Sequence, residues 1–347
     1  MAIVFSEISY FKDPSPASLP PDHQAFLLSL AGPTVIDITG QDPGRCRVIT
    51  SLLHGNEPSG LIAIHRWLTA GVTMPKPTTN IRFIIASTEA ASLPPLLSHR
   101  YLPEGKDLNR CFGSGKNSGY YLRANLIADA VSQVSPEIVV DLHNTSGSGP
   151  AFAVCHGITA NVLSLSSFFC ETVILSAIRL GALLEQDFSC PVITVECGGC
   201  HDELAHELAY EGICHLLACE TTRYFHQERE VEVVYQPHRL RLKPGINLSY
   251  GGHDSGEAGV RLKTDIEQYN FSGARRGEVL GWLDADGLDN LVLTDEQGQD
   301  IIGEYFTSSA NQLLCATDMR IFMATGIKDI AVNDCLFYVI KTADAKG

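Results

Sequence analysis

The chain has no excess of positive charge, no long apolar run and no repeated cysteine spacing, and each lack removes a class of function. Lys and Arg number 25 against 40 Asp and Glu, a formal net charge of −15. Such a surface repels nucleic acid and anionic membranes, so neither is expected as a partner. No stretch approaches the ~18 consecutive apolar residues of a bilayer-spanning helix. The opening MAIVFSEISYFKD has no basic leader, apolar centre and small-residue cleavage site, so no signal peptide is read and a cytoplasmic location is expected. The eleven cysteines are odd in number and spread without a framework, which fits reduced, buried thiols. The acidic balance does not exclude a small acidic substrate, because a few arginines in one pocket reverse the local field.

What is present supports a folded enzyme-sized chain. The 347 residues, 45% of them hydrophobic, can build a core and suggest two domains. RCRVITSLL (45–53), NIRFIIAST (80–88), EIVVDLH (137–143) and PVITVECGG (191–199) read as strands rich in Val, Ile and Leu. GLIAIHRWLTAG (60–71) and YYLRANLIADAVSQV (120–134) carry apolar residues at helical spacing, and 160–185 and 201–225 also read as helical. Strands alternating with helices predict an α/β layer architecture. After about residue 228 the texture changes to short β-rich runs broken by Gly, Pro and Asp-Gly, with no convincing helix. The expected division is an α/β domain over 1–228 and a smaller all-β domain over 229–347, the boundary falling within 224–236.

Three of the strands end on chemistry. LLHGNEPSGL (52–61) puts His54 and Glu57 just past the first strand, EIVVDLH ends on Asp141 and His143, and PVITVE ends on Glu196. Ligands of open α/β sheets bind beyond the carboxyl ends of the strands. If these strands are neighbours, His54, Glu57, His143 and Glu196 share one rim. Two neutral imidazoles and a carboxylate form a hydrolytic zinc ligand set. A further carboxylate is then needed as general base, and Glu196 is the natural candidate. Asp141, two residues before His143, can orient an imidazole from behind. HRYLPEGKDLNRCF (99–112) adds Arg100, Asn109 and Arg110 on a loop. Arg110 can fork onto a substrate carboxylate with Asn109 beside it, and Arg100 can stabilise an oxyanion.

Each piece alone has a plainer reading. Glu57 with Pro58 suits an ordinary helix start, Glu196 an ordinary strand end, and the arginines a solvated basic loop. Joint placement is what favours a site. HGNEPSG, DLNR, DLHNTSG and VECGG, in this order and spacing, resemble the succinylglutamate desuccinylase/aspartoacylase family, which is related to zinc carboxypeptidases. The resemblance covers about residues 45–215, and the β-rich tail is similar to that family's C-terminal domain. It implies one zinc per chain on His54, Glu57 and His143, with Glu196 as base and proton shuttle. It also implies Arg100 at the oxyanion and Asn109 with Arg110 on the substrate's carboxylate. The implied fold is a mixed sheet flanked by helices with a smaller β domain, and the implied reaction is hydrolysis of an N-acyl amino acid. Two features depart from the pattern. The spacing from Arg100 to Asn109 is longer than in aspartoacylases. Where those proteins carry an arginine for a second carboxylate, this chain has Gln186, the nearest upstream arginine being Arg179. A less acidic acyl amino acid is therefore as good a candidate substrate as N-acetylaspartate or succinylglutamate.

The rivals are a carboxypeptidase-type metallopeptidase and a non-catalytic metal- or ligand-binding protein on the same fold. The expected partner is a small carboxylate-bearing substrate, and a homo-oligomer stays open. Cys197-Gly-Gly-Cys200 lacks the second C-x-x-C of a structural zinc knot. His201, Asp202 and His206 read as a polar helix start. SGARRGEVLGWLDADG (272–287) resembles a biotinyl/lipoyl hammerhead without the carrier lysine in its turn.

Overall fold

The computed structural model describes residues 3–71, 75–220, 230–257 and 259–342. The chain divides into two compact units, Met1–Asn144 with Ala151–Glu232, and Thr145–Pro150 with Val233–Gly347. Part of the expected 224–236 boundary lies outside the described residues, and the helix expected over 201–225 stops at Ala218, where Cys219 turns extended.

The first unit is a mixed sheet flanked by helices. Its strands are β1 (Ser9–Lys12), β2 (Thr34–Ile38), β3 (Asp42–Ser51), β4 (Thr79–Ile85), β5 (Ile138–Thr145), β6 (Phe152–Cys155), β7 (Thr172–Leu175) and β8 (Val192–Gly199). They lie in the order β1-β2-β4-β3-β5-β8-β6-β7. β3 runs parallel to β4 and β5, whereas β2 opposes β4 and β6 opposes β8. The helices are α1 (His23–Ser29), α2 (Ser59–Ala70), α3 (Thr88–Ala91), α4 (Gly119–Ser132), α5 (Ala160–Ser166) and α6 (Glu203–Ala218).

Central strands buried on both faces explain the near-continuous apolar runs. Ile49, Phe83, Val140, Leu142 and Val195 pack with Ile64, Trp67, Ala209 and Ile213 of α2 and α6. Val48, Ile84 and Val139 point the other way, onto Ala124, Ile127 and Val131 of α4. The alternation along each strand sets the two layers.

The structure corrects three sequence expectations. Residues 160–185 are not one helix: α5 stops at Ser166, and Thr172–Leu175 forms β7, paired in parallel with β6. The β-branched run Thr172-Val173-Ile174 favours the strand, and an apolar run this short carries no decisive period. β1, β2 and β6 are also added, and they too are short. In the second unit, Ile302–Tyr305 and Lys328–Asn333 are short helices where none was expected.

The second unit is otherwise β-rich, with two five-stranded sheets. One orders Gly273–Ala274, Met319–Phe322, Phe337–Lys341, His238–Leu242 and Leu291–Val292; the other orders Leu248–Tyr250, Val260–Leu262, Val279–Leu283, Gln312–Cys315 and Phe306–Ser309. Leu240, Leu280, Leu313, Ile321 and Phe337 centre its core. Among the described residues, no helix is long and apolar enough to cross a membrane.

Candidate metal centre

The parallel pairing of β3 with β5 sends both strands toward the same end of the sheet, and the candidate ligands follow there. After β3 the chain turns sharply. Leu52, fully buried, holds φ at 55°, a conformation that is strained for a side chain of its type and persists only where the surroundings enforce it. Gly55 is required by close approach: its N–H donates to the Arg100 carbonyl at 2.9 Å, and a Cβ there would lie 2.6 Å from Ala91 N and 2.7 Å from His99 O. That contact brings the Arg100 loop against His54. Gly60 lets α2 start directly on the sheet, since a Cβ would fall 2.3 Å from Ser51 Oγ.

Ligand atoms of His54, Glu57 and His143 lie within 4.8 Å of one another, and all three side chains are buried. Glu57 stands between the imidazoles, with Oε1 2.8 Å from His54 Nδ1 and Oε2 2.6 Å from His143 Nδ1. Carboxylates hold the far side of each ring. His143 Nε2 lies 2.7 Å from Asp141 Oδ2, and His54 Nε2 lies 2.9 Å from Asp107 Oδ1. With a metal bound, donation from Nε2–H to those carboxylates would leave both Nδ1 atoms, which face Glu57, free to act as ligands. Asp141 is fully buried, and its other oxygen accepts from the Thr50 hydroxyl.

The electrostatics follow from this packing. Burial pushes the Glu57 carboxyl up, but the His54 and His143 rings outweigh it and hold the group well below the ordinary range. Burial likewise opposes Asp107, and His54, Arg100 and Arg110 overcome it. His143 is disfavoured as a cation by burial, yet Asp141 and Glu57 together raise it well above its usual value. Glu196 goes the other way: burial dominates and raises its carboxyl to about 7, with His143, His54 and Arg100 pulling down and Glu57 pushing up. Its Oε2 is out of reach of solvent and finds no hydrogen-bond partner among the described residues.

The structure thus brings together five residues singled out in the sequence: His54, Glu57, His143, Glu196 and Arg100. The Arg100 guanidinium donates to Asp107 Oδ2 and to Glu57 Oε1, at 3.0 and 3.2 Å, and Nη2 lies 2.8 Å from His54 Nε2. Asn109 and Arg110 form a neighbouring turn. Asn109 Oδ1 accepts the Leu183 N–H at 2.9 Å, and Arg110 Nη1 donates to the Asn109 carbonyl. Gln186 sits against Gly113 of the same loop, while Arg179 is exposed. Two residues escaped sequence reasoning. Asp107 lies inside DLNR, but nothing local says that it reaches His54. Asn144 is buried and joins Ser59 to Gly198, a role that no pattern announces.

Two imidazole nitrogens and a carboxylate oxygen converging in a buried cluster, beside an unpaired carboxylate oxygen, suit a divalent cation of the zinc type. Residues 43–202 match the family model of the succinylglutamate desuccinylase/aspartoacylase catalytic domain. The fold is shared with a succinylglutamate desuccinylase of Vibrio parahaemolyticus, at 17% identity and a TM-score of 0.60 over 92% of this chain and 95% of that one. A succinylglutamate desuccinylase/aspartoacylase of Rhodobacter sphaeroides gives 17% identity and a TM-score of 0.58 over 88% and 87%. Murine aminoacylase 3, in its E177A form, gives 14% and 0.52 over 87% and 95%. No curated protein matches by sequence.

Proposed function

The chain belongs to the succinylglutamate desuccinylase/aspartoacylase family, and on that premise we propose that it is a zinc hydrolase cleaving the amide bond of an N-acyl amino acid. Members of the family are acyl-amino-acid deacylases. The observation that carries the finer reading is the buried convergence of His54, Glu57 and His143 within 4.8 Å, with the unpartnered Glu196 Oε2 beside it. His54 and His143 would hold the metal through Nδ1, and Glu57 through its carboxylate. Zinc supplies Lewis acidity there, lowering the pKa of water to about 7 and polarising a carbonyl.

The protein groups do the rest. Glu196 Oε2 takes a proton from the attacking water and returns it to the leaving nitrogen as the C–N bond breaks. Arg100 provides positive charge for the oxygen that gains negative charge. Arg110, with Asn109 beside it, holds the carboxylate of a small substrate. All of these residues lie in the α/β part, 1–228, to which we assign the chemistry; the β-rich part is 229–347. A cytoplasmic location accords with the eleven free thiols.

The test is zinc content and amine release on the purified chain. Wild type is expected to hold about one zinc per chain and His143→Ala none, three protein ligands being the usual catalytic set. Glu196→Gln is expected to keep the zinc and lose about 10²–10⁴ in kcat. Normal turnover by Glu196→Gln removes the base from the mechanism. Faster cleavage of dipeptides than of N-acyl amino acids moves the assignment to a carboxypeptidase-type enzyme. Stoichiometric zinc with no hydrolysis of either moves it to a binding protein.

A further inference from the structure

The polar start of α6 has so far had no role, yet one of its residues reaches toward the metal centre. His206 Nδ1 lies 2.8 Å from Ser59 Oγ, at the first turn of α2. Ser59 is fully buried. Its hydroxyl also receives a hydrogen bond from Asn144 Nδ2 at 2.7 Å, and its N–H donates to Asn144 Oδ1 at 3.0 Å. The second Nδ2 hydrogen of Asn144 goes to the Gly198 carbonyl at 2.9 Å. The Asn144 backbone N–H donates to Glu57 Oε2 at 3.3 Å.

One amide therefore ties together the segments that carry the site. Ser59 is two residues past Glu57, Asn144 directly follows His143, and Gly198 is two residues past Glu196. The amide has two N–H donors and uses both. Ser59 Oγ accepts from Asn144, and its own hydrogen can be given to His206 Nδ1. In that arrangement the bonds run from Asn144 to Ser59 to His206. That requires a neutral ring with its proton on Nε2. Burial lowers the His206 pKa, offset in part by Glu203 and Asp202 and assisted by His23 and His201, which is consistent with the neutral form.

We propose that His206 is a positioning residue for the metal centre: by accepting the Ser59 hydroxyl hydrogen it orients Ser59 Oγ toward Asn144, and so sets the spacing of Glu57 and His143. The inference rests on the reading of His54, Glu57 and His143 as metal ligands. Loss of the ring frees the Ser59 hydroxyl to rotate and loosens one of the two bonds between Ser59 and Asn144. The Ser59 N–H to Asn144 Oδ1 bond remains, so the effect is graded.

The experiment is zinc titration of the full chain against a chromophoric chelator, with kcat, KM and metal-free thermal unfolding measured beside it. His206→Ala is expected to weaken zinc about tenfold, the low end for groups that orient ligands, and to lower kcat with little change in KM. His206→Asn, whose Oδ1 can stand where Nδ1 stood, is expected to recover most of that loss. Ser59→Ala removes that link and the Asn144 Nδ2 bond together without touching α6, and is expected to weaken zinc at least as much as His206→Ala. Wild-type zinc affinity in both alanine variants overturns the proposal, as does an asparagine variant no better than alanine. A loss of thermal stability with unchanged zinc affinity marks the contact as mere packing and overturns it equally. A wild-type chain that binds no zinc overturns the metal-site reading itself, and this inference with it.

Discussion

At the scale of the residue, the site is a set of acids and imidazoles that satisfy one another. Glu57 is flanked by two rings, and each ring is backed by an aspartate. The backing groups matter because they decide which ring nitrogen is free to bind. Asp141 is the more deeply buried of the two, fully enclosed and also held by Thr50. Asp141→Asn removes the charge that favours Nε2–H on His143 and puts an amide in its place. The expected outcome is zinc affinity lowered about 10–100-fold with the ligand set intact. Competition against a chelator measures it, and an unchanged affinity would remove Asp141 from the site.

At the scale of the element, two close approaches make the geometry possible. The Gly55 contact presses the Arg100 loop onto the β3 turn, and Gly60 sets the first turn of α2 on Ser51 and Leu142. A methyl at Gly60 would lie 2.3 Å from Ser51 Oγ, 2.8 Å from Ser51 Cβ and 3.0 Å from Leu142 Cβ. α2 must then lift away from β3 and β5, taking with it the turn that carries Glu57. Overpacking of this kind costs about 1–3 kcal/mol, against a gain of about 1 kcal/mol for alanine over glycine inside a helix. Gly60→Ala is expected to lower stability in urea unfolding and to weaken zinc as well. Wild-type behaviour in both would show that the sheet yields easily at this point.

At the scale of the whole molecule, a metal held by His54, Glu57 and His143 would link binding to folding. The ligands come from segments nearly ninety residues apart, and the unfolded chain does not hold them together. Zinc at 100 times its Kd is expected to stabilise the native chain by about 2.7 kcal/mol. Thermal unfolding should show a lower Tm when a chelator is added to wild type and no chelator effect in His143→Ala. An identical wild-type Tm with and without chelator would argue against a metal resident in the folded state.

The sequence by itself determined the α/β class, the β-rich tail and the candidate ligands, because these are local properties. Val48, Ile49, Val139 and Val140 declare their strands by composition, and His54, Glu57, His143 and Glu196 stand out as polar groups at the ends of apolar runs. β1, β2, β6 and β7 escaped because runs of four or five residues carry too little period to separate strand from helix. Sheet order was likewise decided only in three dimensions: β8 lies between β5 and β6, although β6 and β7 precede it in the chain. That insertion brings Glu196 to the imidazoles and Gly198 to Asn144. The partners of His54, Ser59 and Asn144 are contacts across 53, 147 and 85 positions. Such contacts leave no periodic trace, since a hydrogen bond between distant segments depends on how the layers pack and not on the neighbours of either residue in the chain.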